Sequence, residues 1–210
     1  MTSAGHETLL RAYNVSRESL HGLETYVSLL ITWQRPINLI GSSTIDTVWT
    51  RHIADAVQLL PLLPPQTTIL ADLGSGGGIP GLVLALAGGF HVHLYESNGK
   101  KVAFLREAIR KTGASAEVHQ VRLETLQNEK SLPKVDAVTA RALAPLNDLL
   151  VYAAPFMANG APAFFHKGQD IDAELTQATK YWKLHAIKHP SHTDSRGVIL
   201  EVTEAVRVGE

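Results

Sequence analysis

Residues 69–84 read Ile-Leu-Ala-Asp-Leu-Gly-Ser-Gly-Gly-Gly-Ile-Pro-Gly-Leu-Val-Leu, an apolar strand-like run that enters a glycine-dense loop and leaves as an apolar helix-like run. Such a passage restricts the chain to folds in which a buried strand hands over to a helix across a very tight turn. Gly74, Gly76, Gly77 and Gly78, with Gly81 beyond, let the backbone bend sharply and approach a ligand closely. The helix that follows starts with free N–H groups. The spacing Gly76-x-Gly78-x-x-Gly81 also satisfies the dinucleotide fingerprint, but that spacing alone selects no ligand.

On either side of this loop the periodicity differs. From residue 7 to 39 apolar residues recur at three- and four-residue steps, which predicts helices, the second capped by Ser16 and ended by Pro36. Residues 43–46 read as the cap of a further helix through Leu60, stopped by Pro61, Pro64 and Pro65. Residues 1–65 are thus expected to form a helical extension laid against a main unit over 66–210. Within that unit, strands are expected over 68–73, 91–95, 117–120, 137–140, 161–166, 183–187 and 198–202. Helices are expected over 81–86, 99–112, 146–157 and 171–180. Strands alternating with helices imply an α/β fold whose mostly parallel, seven-stranded sheet is built from right-handed crossovers. The last two strands lack an intervening helix and should close one edge as an antiparallel hairpin.

Composition narrows the functional classes. The 210 residues carry 19 Lys and Arg against 20 Asp and Glu, so any basic surface for nucleic acid must be local. The chain has no cysteine, which removes disulfides, thiolate metal sites and a thiol nucleophile. The start lacks the pattern of a signal peptide and no apolar run is long enough to span a bilayer, so a cytoplasmic location without membrane contact is expected. The ten histidines are dispersed. With one of His91 and His93 expected to face the interior, they read as packing or surface groups, and no metal site is expected.

Three ligand classes compete for the glycine loop. A phosphate-binding P-loop needs Lys and then Ser or Thr after the last glycine, and Leu82 stands there instead. A dinucleotide would set its pyrophosphate at the helix start, close to the carboxylate of Asp72. S-Adenosylmethionine carries no phosphate and has a cationic sulfonium and ammonium, so Asp72 with Gly74 and Gly76 suits it better. Glu96, ending the second strand, is placed to accept both ribose hydroxyls of an adenosine ligand, an arrangement that NAD shares. After the third strand, Leu123 and Glu124 are positioned to touch the adenine. Arg141 emerges at the end of an apolar strand, which is unusual for a core residue. It could hold substrate phosphate or the donor's carboxylate, or form a plain salt bridge.

Absences point further. Without cysteine the usual adduct route to a pyrimidine C5 is closed. Arg141-Ala-Leu-Ala144 also differs from the Asn- or Asp-Pro-Pro-aromatic loop that commonly serves exocyclic amines. An acceptor with an exposed lone pair, such as guanine N7, needs only proximity and alignment.

Ordered along the chain are Asn38-Leu39, Arg51-His52-Ile53-x-Asp55, Asp72 to Gly81, Glu96-Ser97-x-x-Lys100-Lys101-x-x-Phe104-Leu105, Arg141-Ala142, Leu146-Asn147-Asp148, Lys167-Gly168 and Ser195-Arg196-Gly197. In that order and spacing the chain resembles, over nearly its whole length, the RsmG (GidB) family of 16S rRNA guanine-N7 methyltransferases. The resemblance implies a class I, Rossmann-like methyltransferase fold with a helical N-terminal extension and S-adenosyl-L-methionine as cofactor. It implies donor contacts by Gly74, Ile79, Leu123, Glu124 and Arg141, with Glu96 on the ribose. It further implies Arg141 and His52 beside the reacting centre, and RNA contacts by His52, Lys100, Arg141, Lys167 and Arg196. The implied partner is 16S rRNA or the small ribosomal subunit, with neither DNA nor membrane involved, and the protein a monomer. An NAD-dependent oxidoreductase and a non-catalytic RNA-binding assembly factor are the competing readings.

Overall fold

The computed structural model describes residues 3–128 and 131–208. Helices α1 (Ser3–Leu10) and α2 (Arg17–Ile37) lead into an irregular segment with α3 (Asp55–Val57). Strand β1 (Ile69–Leu73), helix α4 (Gly81–Gly88), strand β2 (His91–Tyr95), helix α5 (Gly99–Thr112) and strand β3 (Ala116–His119) follow. The second half adds β4 (Ala137–Arg141), α6 (Leu146–Met157), β5 (Ala163–Lys167), α7 (Ile171–Ala178), β6 (Trp182–Pro190) and β7 (Val198–Arg207).

One sheet of seven strands runs in the order β3-β2-β1-β4-β5-β7-β6. The first five neighbours pair in parallel, and β7 pairs antiparallel with both β5 and β6. The expected edge hairpin is therefore present. It runs longer than expected because β5 reaches only Val198–Val202 of β7, while 203–207 pair with β6 alone. Residues outside the sheet's covered width bury little, so their apolar alternation fades and the sequence no longer marks them as strand.

Helices cover both faces. Leu70, Val92 and Leu94 pack with Leu82, Phe104 and Leu105 beneath α2, α4 and α5. Ala71, Leu73 and Val138 pack with Leu149, Leu150 and Phe156 on the opposite face. A strand covered on both faces must be apolar throughout, which is why β1 and β4 read as continuous runs. The chain order reverses between β1 and β4, opening a crevice at the carboxyl edge of the sheet.

Two expectations about the first third are corrected. α2 begins as expected, with Ser16 Oγ accepting the Ser19 N–H at 3.0 Å, but it runs past Pro36 to Ile37. Proline's missing donor leaves only the carbonyl of Thr32 unserved, and Thr32 is exposed to water. The helix closes instead at Asn38, in the left-handed conformation at φ 52°, whose N–H reaches Gln34 O. The helix expected from the cap at 43–46 through Leu60 does not form as one element. A 3₁₀ turn at Ser42–Thr44 is followed by a π-helical turn at Trp49–Ala54 and then α3. The hydroxyls of Thr44, Thr47 and Thr50 each donate to a carbonyl three residues back, competing with regular helical bonding.

Candidate active site

The crevice is floored by the glycine loop, and its conformation depends on residues far from it in sequence. At Gly74, φ is +68° and a Cβ would lie 2.5 Å from Leu143 Cδ1. At Gly81 a Cβ would meet Asp72 Cβ at 2.5 Å and Leu94 Cδ2 at 2.6 Å, so α4 begins directly on β1 and β2. From α2, the buried Tyr26 donates its hydroxyl to Gly77 O at 2.5 Å. Gln34, also on α2, accepts the N–H groups of Leu39 and Ile40 at 2.8 Å each and fixes the loop facing the glycines.

Glu96 stands at the end of β2, only 8% exposed. One carboxylate oxygen accepts the Gly76 N–H at 2.9 Å and the other the Asn98 N–H at 2.7 Å. It lines a cavity of about 380 Å³ with Gly74, Lys101, Leu123, Glu124 and Leu143. A second cavity of about 400 Å³ is lined by Ile40, His52, Gly76, Ile79 and Arg141. Both include Gly74, Lys101 and Ala142, so they form one bent groove. Of the sequence-predicted donor residues, Gly74, Gly76, Ile79, Glu96, Leu123, Glu124 and Arg141 all line it.

Asp72 does not line the groove. Its side chain lies beneath the loop at 1% exposure, and Thr139 Oγ1 donates to its Oδ1 at 2.9 Å. Burial pushes its pKa up to about 6, while the Thr139 and Ser75 hydroxyls and the Gly81 amide pull the other way. Its residue type suggested a carboxylate facing a cationic ligand. Strand parity instead turns it toward the start of α4.

Arg141 sits at the end of β4 within a half-buried polar network. Its guanidinium lies 3.0 Å from Asp55 Oδ2 and donates to Arg51 O at 3.0 Å and to His52 Nδ1 at 2.8 Å. Because Arg141 can only donate, His52 Nδ1 must accept, and His52 Nε2–H donates to Thr44 Oγ1 at 2.7 Å. Burial, then the nearby Arg141 charge, lowers the His52 pKa to about 4. His52 is 6% exposed and lines the groove in its neutral form. Asp55 is held in turn by Thr193 Oγ1 at 2.6 Å and Gln58 Nε2 at 2.7 Å.

The remaining basic residues do not gather as one rim. Lys167 pairs with Glu174 at 2.6 Å with its side chain 9% exposed, and it donates to Ala144 O at 3.2 Å. It borders a third cavity of about 290 Å³ that also touches Arg141 and Ala142. Lys100 is exposed at the start of α5 outside the groove, and the neighbouring Lys101 lines it instead. Arg196 is exposed on the β6–β7 loop, beside a separate depression. Register brings that loop to the carboxyl edge, since Val198 pairs with Lys167.

The family model of rRNA small subunit methyltransferase G matches residues 19–200 of the chain. The chain belongs to this family. Ribosomal RNA small subunit methyltransferase G of Bradyrhizobium sp. (strain ORS 278) is 50% identical over 192 residues, covering 90% of this chain and 86% of that one. Its namesake from Methylorubrum populi is 48% identical over 204 residues, covering 95% of each. The fold is also that of ribosomal protein L11 methylase from Lactobacillus delbrueckii subsp. bulgaricus, with a TM-score of 0.56 at 16% identity, covering 79% of this chain and 80% of that one. In this rRNA small subunit methyltransferase G family member, sequence reasoning missed Asp55, Tyr26 and Lys101 as parts of the site. Asp55 and Lys101 were visible only as letters of ordered motifs. Nothing local to Tyr26 distinguishes it from a core aromatic.

Proposed function

We propose that this family member transfers the methyl group of S-adenosyl-L-methionine to N7 of a guanine in the decoding-centre region of 16S rRNA. The observation that carries this reading is the bent groove running from Glu96 and Leu123, past Gly74, to His52 and Arg141. Its donor set suits an adenosine ligand with a charged amino-acid tail. The Glu96 carboxylate retains acceptor capacity for ribose hydroxyls beyond its two amide donors, and Leu123 offers an apolar surface for the base. At the other end Lys101 and Arg141 supply cations for a carboxylate, without the row of free amides that a pyrophosphate favours.

When bound, the cofactor supplies an electrophilic methyl on a sulfonium. The chain's residues hold that methyl toward the acceptor and keep water out. Both nitrogens of neutral His52 are engaged, by Arg141 and Thr44. Asp55 is engaged by Arg141, Thr193 and Gln58. Neither His52 nor Asp55 is thus left free to act as a base, whereas guanine N7 presents its own lone pair and needs none.

RNA phosphates would meet Lys100, Lys101, Arg51 and Arg196 around the groove, with binding that weakens as salt rises. Lys167 serves the wall through Glu174. Among the described residues no helix is long and apolar enough to cross a membrane, and the reading is of a monomer acting in the cytoplasm.

The test is mass spectrometry of 16S rRNA from a strain lacking the family enzyme, with and without this chain supplied. Restoration of N7-methylguanine supports the reading, and an unchanged signal with folded protein present overturns it. Calorimetry with adenosylhomocysteine and NAD separates the oxidoreductase alternative, for which NAD alone would bind. An assembly factor would bind RNA without methyl transfer from labelled donor.

A further inference from the structure

Away from the groove, the outer edge of the sheet carries four metal-ligating side chains on one face. In a strand, residues two apart point the same way, so His91 and His93 of β2 share a face while Val92 enters the core. The expectation that the pair alternates, with one of the two histidines facing the interior, is corrected: both lie on one face. Parallel pairing sets His93 beside Glu117 and Tyr95 beside His119, which brings the β3 side chains onto the same face. β3 is the terminal strand of the sheet, so this face is open to solvent on its outer side.

Three of the four already converge, and His119 stands beside one of them. One ligand atom each from His91, His93 and Glu117 lies within 4.8 Å of the others. His93 Nδ1 is 2.9 Å from His119 Nε2 and 3.8 Å from Glu117 Oε2. Neighbouring ligands around tetrahedral zinc, at bond lengths of about 2.0–2.1 Å, stand about 3.3 Å apart. His91, His93 and Glu117 need to close by about 1.5 Å at most, and His119 must turn from His93 toward the shared ion. The rings are already oriented. Ser115 Oγ lies 3.0 Å from His91 Nδ1, which leaves Nε2 to ligate, and Tyr95 stacks on His119 with centroids 4.7 Å apart. Such outer partners fix ligand direction at known metal sites.

We propose that His91, His93, Glu117 and His119 bind one divalent transition-metal ion, zinc in chemistry, that clasps β2 to β3 at the edge of the sheet. Three imidazoles and one carboxylate suit zinc and reject magnesium and calcium, which take all-oxygen shells. The clasp would act on the groove from behind, because β2 ends at Glu96 and β3 leads to Leu123.

The proposal is tested on the full-length chain without an affinity tag. Calorimetric titration with zinc chloride is expected to give one site per chain. Cobalt chloride should produce the strong visible bands of a four-coordinate ion. His93→Gln and Glu117→Gln should each weaken zinc at least ~10-fold, no less than the loss of an outer partner costs. His189→Gln, which removes the partner of Glu201 on the opposite side of the sheet order, should bind zinc normally. Glu117 has a side chain 61% exposed, so its variant folds even if a buried histidine variant does not. Absence of binding, binding that survives both substitutions, or the weak bands of six-coordinate cobalt would each overturn the proposal.

Discussion

Asp55→Asn tests the claim that Arg141 is held in place by the charge at the start of α3. The substitution keeps the shape of the side chain and removes the charge opposite the guanidinium. The side chains of Arg141 and Asp55 are 18% and 13% exposed, so the pair counts as mostly buried. Deleting one partner of a buried pair costs about 3–5 kcal/mol, chiefly by leaving the other charge uncompensated. Arg141 keeps His52 Nδ1 and Arg51 O as acceptors, which places the cost near the lower end, about 3 kcal/mol. For a chain of this length that lowers the melting temperature by about 6–12 °C. Urea unfolding of the wild type, Asp55→Asn, Arg141→Gln and the double variant closes a cycle. The double variant should cost about 2 kcal/mol less than the sum of the singles, since neither charge is then left alone. Additivity within about 0.5 kcal/mol would refute the pairing.

Other consequences are open to measurement. Asp72 has its folded pKa raised from 3.8 to about 6, so the folded state binds the extra proton between those values. Its contribution is fully present below about pH 4 and is lost as pH rises through 6, about 3 kcal/mol in all. Urea midpoints at several pH values should therefore show Asp72→Asn gaining on the wild type by that amount between pH 4 and pH 7, and parallel curves would contradict it. Gly81→Ala forces a Cβ into Asp72 and Leu94. It should lower stability by about 2 kcal/mol or more and weaken adenosylhomocysteine binding with it, read by thermal melts with and without that ligand. Glu96→Gln sets an amide NH2 against either the Gly76 or the Asn98 N–H, so it should cost about 1–3 kcal/mol of stability and weaken adenosylhomocysteine in calorimetry about 10-fold or more; an unchanged affinity in the folded variant would remove Glu96 from the ribose.

The strand–loop–helix passage was legible because burial on both faces leaves apolar runs that glycine and proline punctuate. Edge elements were less so. The second half of β7 is mostly exposed, so apolar alternation has little to report there. Residues 42–60 defeated periodicity for a different reason, since three threonine hydroxyls there take carbonyls that a regular helix would use. The sequence marked Arg141 as an unusual charge at a strand end, and the family resemblance named Lys167. Neither could supply their partners, because Asp55 lies far upstream of Arg141 and nothing but the folded chain brings Glu174 to Lys167. Asp72 shows the limit of residue type as a guide. Its strand position was right, but the direction of its side chain follows from which helices cover which face.

The β6–β7 loop is tied to residues 51–58 through Thr193 to Asp55, Asp194 to Arg51 and His192 N–H to Gln58, at 2.6, 2.9 and 2.8 Å. Those contacts reach the same Asp55 that steadies Arg141 at the mouth of the groove. A nascent chain carries its whole glycine loop long before residues 191–197 leave the ribosome, yet it lacks the bolt that fastens Asp55. Products truncated before the hairpin would be left with an unfastened mouth. The fastening of Asp55 therefore waits for the last part of the chain to be made.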